Sequence, residues 1–150
     1  FPRFYFLANE ELLAILSKST ELHLVQKYMF KCFEGVSALI IDEYPRIVGL
    51  MSFEGESVNF KQHVDFLHPG TEVPRNVEDW LKDVEITMKL TMRQLLAECY
   101  EDSQVTPRLE WLLLWPSQLV HSVNLAIWTA RTTAAISDQQ LKTFWESEQR

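Results

Sequence analysis

The chain has 150 residues, 47% hydrophobic and 12% aromatic, about one domain's worth of sequence with enough apolar material for a sizeable core. Its 21 acidic residues outnumber 14 basic ones for a net charge of −7, which argues against nucleic-acid binding; the acids are spread along the chain, which excludes an acidic tail. Two cysteines, Cys32 and Cys99, make no disulfide framework and read as reduced core thiols, which points to an intracellular setting.

The first residues, Phe1-Pro2-Arg3-Phe4-Tyr5-Phe6-Leu7, carry four aromatics and a proline. They read as an extended, apolar entry segment. Three consecutive aromatics cannot share one side of a strand, so the segment should meet two surfaces. Phe4 and Phe6 are the expected anchors, and Phe1 and Tyr5 the expected exposed rings. Asn9 stands at the expected N-cap of a helix, with Glu10 and Glu11 in its first turn. A chain that starts at Phe1 without a signal-like run reads as an excerpt of something larger.

Residues 10–17 predict a short helix. Residues 21–34 predict a second, with Leu22, Val25, Met29, Cys32 and Phe33 at three- and four-residue steps and Gly35 at its C-cap. The pattern then turns to β. Residues 46–52 and 57–60 predict two strands around a tight turn at Gly55, with 38–41 as a candidate third. Pro69-Gly70 and Pro74 make 63–76 a loop. Residues 77–101 predict the longest helix, capped by Asn76, with one stripe of Val77, Trp80, Leu81, Val84, Met88, Thr91, Leu95 and Cys99. Glu78–Lys82 and Glu85–Lys89 are spaced for i,i+4 pairing. Pro107 opens another helical stretch, which Pro116 either kinks or breaks and restarts at N1. The continuation, 117–135, should bury Leu119, Val120, Val123, Ile127 and Ala130, and Asp138 should cap a last helix running to Arg150.

Trp111–Ala130 contains 20 residues without a formal charge, the length of a membrane span. Pro116, Ser117, Gln118, His121, Ser122 and Asn124 inside it argue for a buried helix instead. The four glycines, Gly35, Gly49, Gly55 and Gly70, are too far apart for a phosphate-binding loop, and none precedes a lysine. His23, His63, His68 and His121 lack metal-ligand spacing; His63 and His68, with Asp65 between them, read as solvated loop residues. Glu54 and Glu56 flank Gly55 as a carboxylate pair and read as solvated turn charges rather than an acid and base. Ser52 and Ser117 lack a nucleophile motif. His121 reads as a satisfied core or interface histidine, and Trp111 and Trp115 as a core pair on one helix side. The expectation is a chain without catalytic, cofactor-binding or metal-binding residues, and with no cofactor.

The order of certain blocks resembles the linker region of dynein heavy chains. The blocks are Phe1–Leu7 followed by Asn9–Leu13, then Lys31–Gly35, Ser52–Glu56, Asn76–Leu81, Glu110-Trp111 with Trp115–Val120, and Ile127–Thr129. The likeness covers residues 1 to about 130. Phe53 and the tail from Arg131 depart from it. The Trp-Pro and Ile-x-Trp-Thr blocks look axonemal, whereas the run from Gly35 to Ile41 looks cytoplasmic; the axonemal type is favoured.

The predicted elements give a mainly α fold with a small inserted antiparallel β-hairpin, and the resemblance implies a helical rod or bundle segment. One excerpt would span 1–150: entry segment and two helices over 1–35, hairpin region over 36–62, long helices over 77–150. It implies a non-catalytic part of an ATP-driven microtubule motor. Such a linker lies across the ring of AAA+ modules of the same heavy chain, and bends and straightens as the first module turns over ATP. Nucleotide sites would lie downstream. Other dynein subunits are possible partners, microtubules are engaged only through the full motor, and neither nucleic acid nor membrane is expected. The setting would be cytoskeletal, in the ciliary axoneme. Rival readings are a dynein-like scaffold or interaction module without motor activity, an independent domain with a private partner, and a small hydrolase using His121 or Glu54.

Overall fold

The computed structural model describes residues 1–148, and the side chains of 1–146. Seven α-helices and one three-stranded sheet are assigned among these residues: α1 Asn9–Ser17, α2 Leu22–Val25, α3 Met29–Cys32, β1 Val36–Ile41, β2 Arg46–Ser52, β3 Ser57–Asp65, α4 Val77–Asp102, α5 Arg108–Leu114, α6 Ser117–Ser137 and α7 Leu141–Glu148. The expected extent of the last helix to Arg150 lies outside the described residues. The chain divides into two compact units, Phe1–Arg93 and Gln94–Arg150, so α4 contributes to both.

In the first unit the entry segment is not extended. Pro2–Phe6 forms a 3-10 helix with proline in its first turn, where the ring's fixed φ is compatible with helix and no N–H is missed. The N-cap of α1 is Ala8, not Asn9. Glu11, three residues on, reaches back to accept the Ala8 N–H at 3.0 Å, so the cap is anchored from the helix side. The predicted helix over 21–34 is broken into α2, a 3-10 turn at Gln26–Tyr28, and α3. The Gln26 Oε1 accepts the Leu39 N–H of β1 at 3.2 Å, a long-range contact that helical periodicity does not encode. Gly35 has φ of +82° in the turn closed by Val36 N–H to Phe33 O, a conformation that favours glycine.

The expected hairpin is a three-stranded antiparallel sheet in the order β1-β2-β3. β1 begins two residues earlier than the apolar run suggested, with Val36 opposite Ser52 and Leu39 opposite Leu50. β3 extends through Asp65, so His63 and Asp65 lie on a strand rather than in a loop. Between the pairs Ile47–Val64 and Gly49–Asn59 the register shifts, with residues 60–63 facing only Val48. Within that bulge the Lys61 N–H donates to Thr91 Oγ1 at 3.3 Å, which gives the buried Thr91 of the α4 stripe a partner.

The core of this unit gathers Ile15, Val25, Met29 and Phe33 with Leu39, Ile47 and Val64 of the sheet, and with Val77, Trp80, Leu81 and Val84 of α4. The α4 stripe is therefore buried as its spacing predicts. Asn76 accepts the Asp79 and Trp80 N–H groups through its carbonyl and donates from its side chain to Asp79.

In the second unit Pro116 breaks the helix. Trp115 takes φ −110° and ψ 149°, the extended conformation imposed on a residue before proline. Pro116 is the N-cap of α6 rather than N1, its carbonyl accepting from Leu119 and Val120. Leu119, Val120, Val123 and Ala135 are buried, Ile127 is half-buried, and Ala130 is exposed, against expectation. Asp138 is the C-cap of α6, not the N-cap of α7. Gln139 follows with φ of +58°, and the Gln140 carbonyl accepts the Phe144 N–H as α7 begins. No helix among the described residues is long and apolar enough to cross a membrane.

Candidate functional site

In the first unit the entry segment is attached through contacts distant in sequence. Its short helix turns Arg3 toward α3 and α4. The guanidinium donates to the Cys32 carbonyl at 3.0 Å and to Glu85 Oε1 at 3.2 Å, and its carbon lies 4.9 Å from the centre of the Phe33 ring. One side chain thus meets a carbonyl, a carboxylate and an aromatic face, for which the planar, permanently charged guanidinium is suited. Glu85 also accepts from Lys89 Nζ at 2.6 Å. The Lys89 hydrogen bond, followed by that from Arg3, holds the Glu85 carboxyl below the ordinary range.

Phe1 and Phe4 pack edge to face, with centroids 5.2 Å apart, and Phe1 lies 6.2 Å from Phe33. Phe1 is therefore half-buried, not exposed. Tyr5 is 93% exposed, as expected, and Phe6 is 72% exposed, which removes it as an anchor. A second clasp joins α1 to α3: Lys31 Nζ binds Glu11 Oε1, and this hydrogen bond, with that from the Ala8 N–H, lowers the Glu11 pKa. At the tip of the β2–β3 turn the exposed Phe53 meets Phe30 edge to face at 6.4 Å.

The residues weighed for chemistry are dispersed. Glu54 and Glu56 are exposed on the turn, with the Glu56 N–H donating to Ser52 Oγ at 3.1 Å. His63 pairs with Asp65 on β3 at 3.5 Å, and the His68 N–H donates to Val73 O in the following turn. Among the described residues no group of three or more His, Cys, Asp or Glu is placed to hold a metal ion. Ser117 opens α6. His121 is exposed on α6 rather than in a core, because it lies off the stripe formed by Val120 and Val123.

Both cysteines are buried and free, and burial raises both thiol pKa values. Trp111 is buried and Trp115 half-buried, and both fasten the end of α4 inside the second unit. Trp111 Nε1 donates to Cys99 O at 2.9 Å and Trp115 Nε1 donates to Asp102 Oδ2 at 2.7 Å. Thr106 Oγ1 also donates to Asp102, and these two bonds, the Thr106 one first, lower its pKa. The Cys99 carbonyl also accepts the Ser103 N–H at 3.0 Å, so the Trp111 indole is its second donor.

Comparison with known proteins bears on the whole arrangement. A family profile described as "Dynein heavy chain, N-terminal region 2" matches residues 1–99, which include the Arg3 attachment, the sheet and most of α4. Over 144 residues the chain is 38% identical to Dynein axonemal heavy chain 3 of Homo sapiens, covering 96% of this chain and 3% of the relative. It is 35% identical over 142 residues to Dynein axonemal heavy chain 1 of Homo sapiens, covering 95% of this chain and 3% of the relative. It is also 35% identical over 142 residues to Cytoplasmic dynein 2 heavy chain 1 of Homo sapiens, covering 94% and 3% respectively. The chain thus spans about 3% of the length of the curated relatives it matches. The ordered blocks, the profile over 1–99 and the near end-to-end identity agree: this chain belongs to the dynein heavy chain family, and matches its N-terminal region.

Proposed function

We propose that this chain is a non-catalytic, force-transmitting segment of a dynein heavy chain linker, a single excerpt over 1–150 with no catalytic, cofactor-binding or metal-binding residue of its own. The observation that carries this reading is the match of residues 1–99 to the N-terminal region of dynein heavy chains. The Arg3 attachment supports it mechanically. A segment that passes force needs its entry fixed to the body by contacts distant in sequence, and Arg3 reaches Cys32 and Glu85. On this reading the partner is the AAA+ ring of the same heavy chain, the motor acts on microtubules, and the setting is the ciliary axoneme. Axonemal heavy chains 3, 1 and 2 among the similar relatives support the last point.

The test replaces both Arg3 and Glu85 with Ala in a heavy-chain motor that carries this segment. Basal ATP hydrolysis should persist, while microtubule gliding slows because the entry no longer transmits displacement. Gliding at the parent speed with the clasp removed would sink the mechanical role.

A further inference from the structure

The second unit contains a feature that the linker reading leaves unused. On α6, His121 stands three and four residues before Asn124 and Leu125, these stand four and three before Trp128, and Arg131 follows three later, so the five form a single stripe. With Arg108 of α5 they line an open groove of about 290 Å³. The stripe runs over eleven residues of helix, His121 to Arg131, about 15 Å of rise. Among the described residues no aspartate or glutamate lines the groove, in a chain whose net charge is −7. Arg108 brings a guanidinium to the lining, and His121, Asn124 and Trp128 add an imidazole, an amide and an indole N–H. The lining is also apolar at Leu125 and at Trp128, which is 48% exposed.

We propose that this groove docks a short acidic segment of a partner protein, with a carboxylate on the Arg108 side and an adjacent apolar side chain against Leu125 and Trp128. A planar guanidinium matches a carboxylate's two oxygens, and an exposed Trp supplies contact area at small entropic cost. The acidity of the whole chain disfavours an extended polyanion such as nucleic acid or an anionic membrane, because the long-range field repels it. A short acidic stretch feels mainly the local groove, since charges more than a Debye length away are screened.

The experiment places a photo-crosslinking residue at Leu125 in the heavy chain that carries this segment, within its native assembly, and identifies the adduct by mass spectrometry. The expected adduct is a segment of another polypeptide with Asp or Glu beside an apolar residue, and an adduct within the same heavy chain would overturn the proposal. Its yield should fall about tenfold on Arg108→Glu, the loss of one charge-assisted contact. Changing the partner's acidic residues to Lys should restore the yield, and recovery also shows that the Arg108→Glu chain is folded. The same crosslinker at the exposed Leu113, outside the groove, should not give this adduct. A neutral or basic adduct, a lipid or nucleic-acid adduct, no adduct, indifference to Arg108→Glu, or a charge swap that fails to restore the yield would each overturn the proposal.

Discussion

Phe4 and Phe6 lie two residues apart in one 3-10 helix and have opposite environments: Phe4 is packed on Phe1, and Phe6 is 72% exposed. Phe4→Ala should therefore cost about 2 kcal/mol, roughly half the value for a fully buried ring. Phe6→Ala should stay within about 0.5 kcal/mol. Urea midpoints of the two variants check the pair; equal midpoints would show that the entry helix is not held as described. Arg3 was invisible as an anchor in the sequence, because a lone Arg among aromatics has no periodicity and its acceptors stand 29 and 82 residues away.

Glu85 carries a pH consequence. Its carboxyl is held low by Lys89 first and Arg3 second, so the folded chain binds that proton less readily than the unfolded one. The stabilisation is complete above the ordinary value of 4.5 and is lost as pH falls through the lowered folded value. Glu85→Gln should flatten the acid limb of a stability-versus-pH curve, and Arg3→Ala should flatten it only in part. An acid limb that Glu85→Gln leaves as steep as before would assign the dependence to other carboxylates.

At the scale of elements, Gly49 leaves no room for a side chain in the sheet. A Cβ there would stand 2.6 Å from the Val58 carbonyl oxygen and 3.2 Å from both the Asn59 Cα and the Ile40 Cδ1. Two of these atoms are backbone of the neighbouring strand and have little room to yield. Gly49→Ala should destabilise by about 1–3 kcal/mol, the usual cost of overpacking, measurable by chemical denaturation. An unchanged midpoint would mean that β2 and β3 are less closely paired at this level.

The long helix α4 was legible because eight stripe positions keep one period, and burial follows that stripe. The break at Pro116 was legible because proline restricts the residue before it as well as itself. The third strand was only half legible, since Val36 and Ser37 precede the apolar run that marks β1. Asp138 misled because the same residue type suits either end of a helix-to-helix turn. The αL conformation of Gln139 falls on a residue that does not advertise it. The Trp111 and Trp115 contacts were missed for another reason: a tryptophan pair at helical spacing suggests a shared apolar face, and says nothing about the acceptors its indoles will find.

At the scale of the whole molecule, the described structure carries many exposed large apolar side chains, among them Tyr5, Leu13, Val105, Leu109 and Leu113. Apolar surface of this extent is a liability in a separate chain and ordinary within a larger one. The segment produced alone should therefore self-associate as its concentration rises, readable by sedimentation velocity. A monomer at all concentrations would favour an independent domain. The same preparation should show no saturable binding of ATP in calorimetry at micromolar protein. Saturable binding would contradict the non-catalytic reading directly.

The Arg3–Glu85 contact spans 82 residues, and this separation has a kinetic meaning. Closing so long a loop costs chain entropy before the contact returns anything, so it is expected to form after the strands and α4 have come together. Contacts made after the transition state slow unfolding without hastening folding. On that order the entry segment should act as a late fastening, adding little to how quickly this unit is built and much to how long the finished unit resists being pulled open from its first residue.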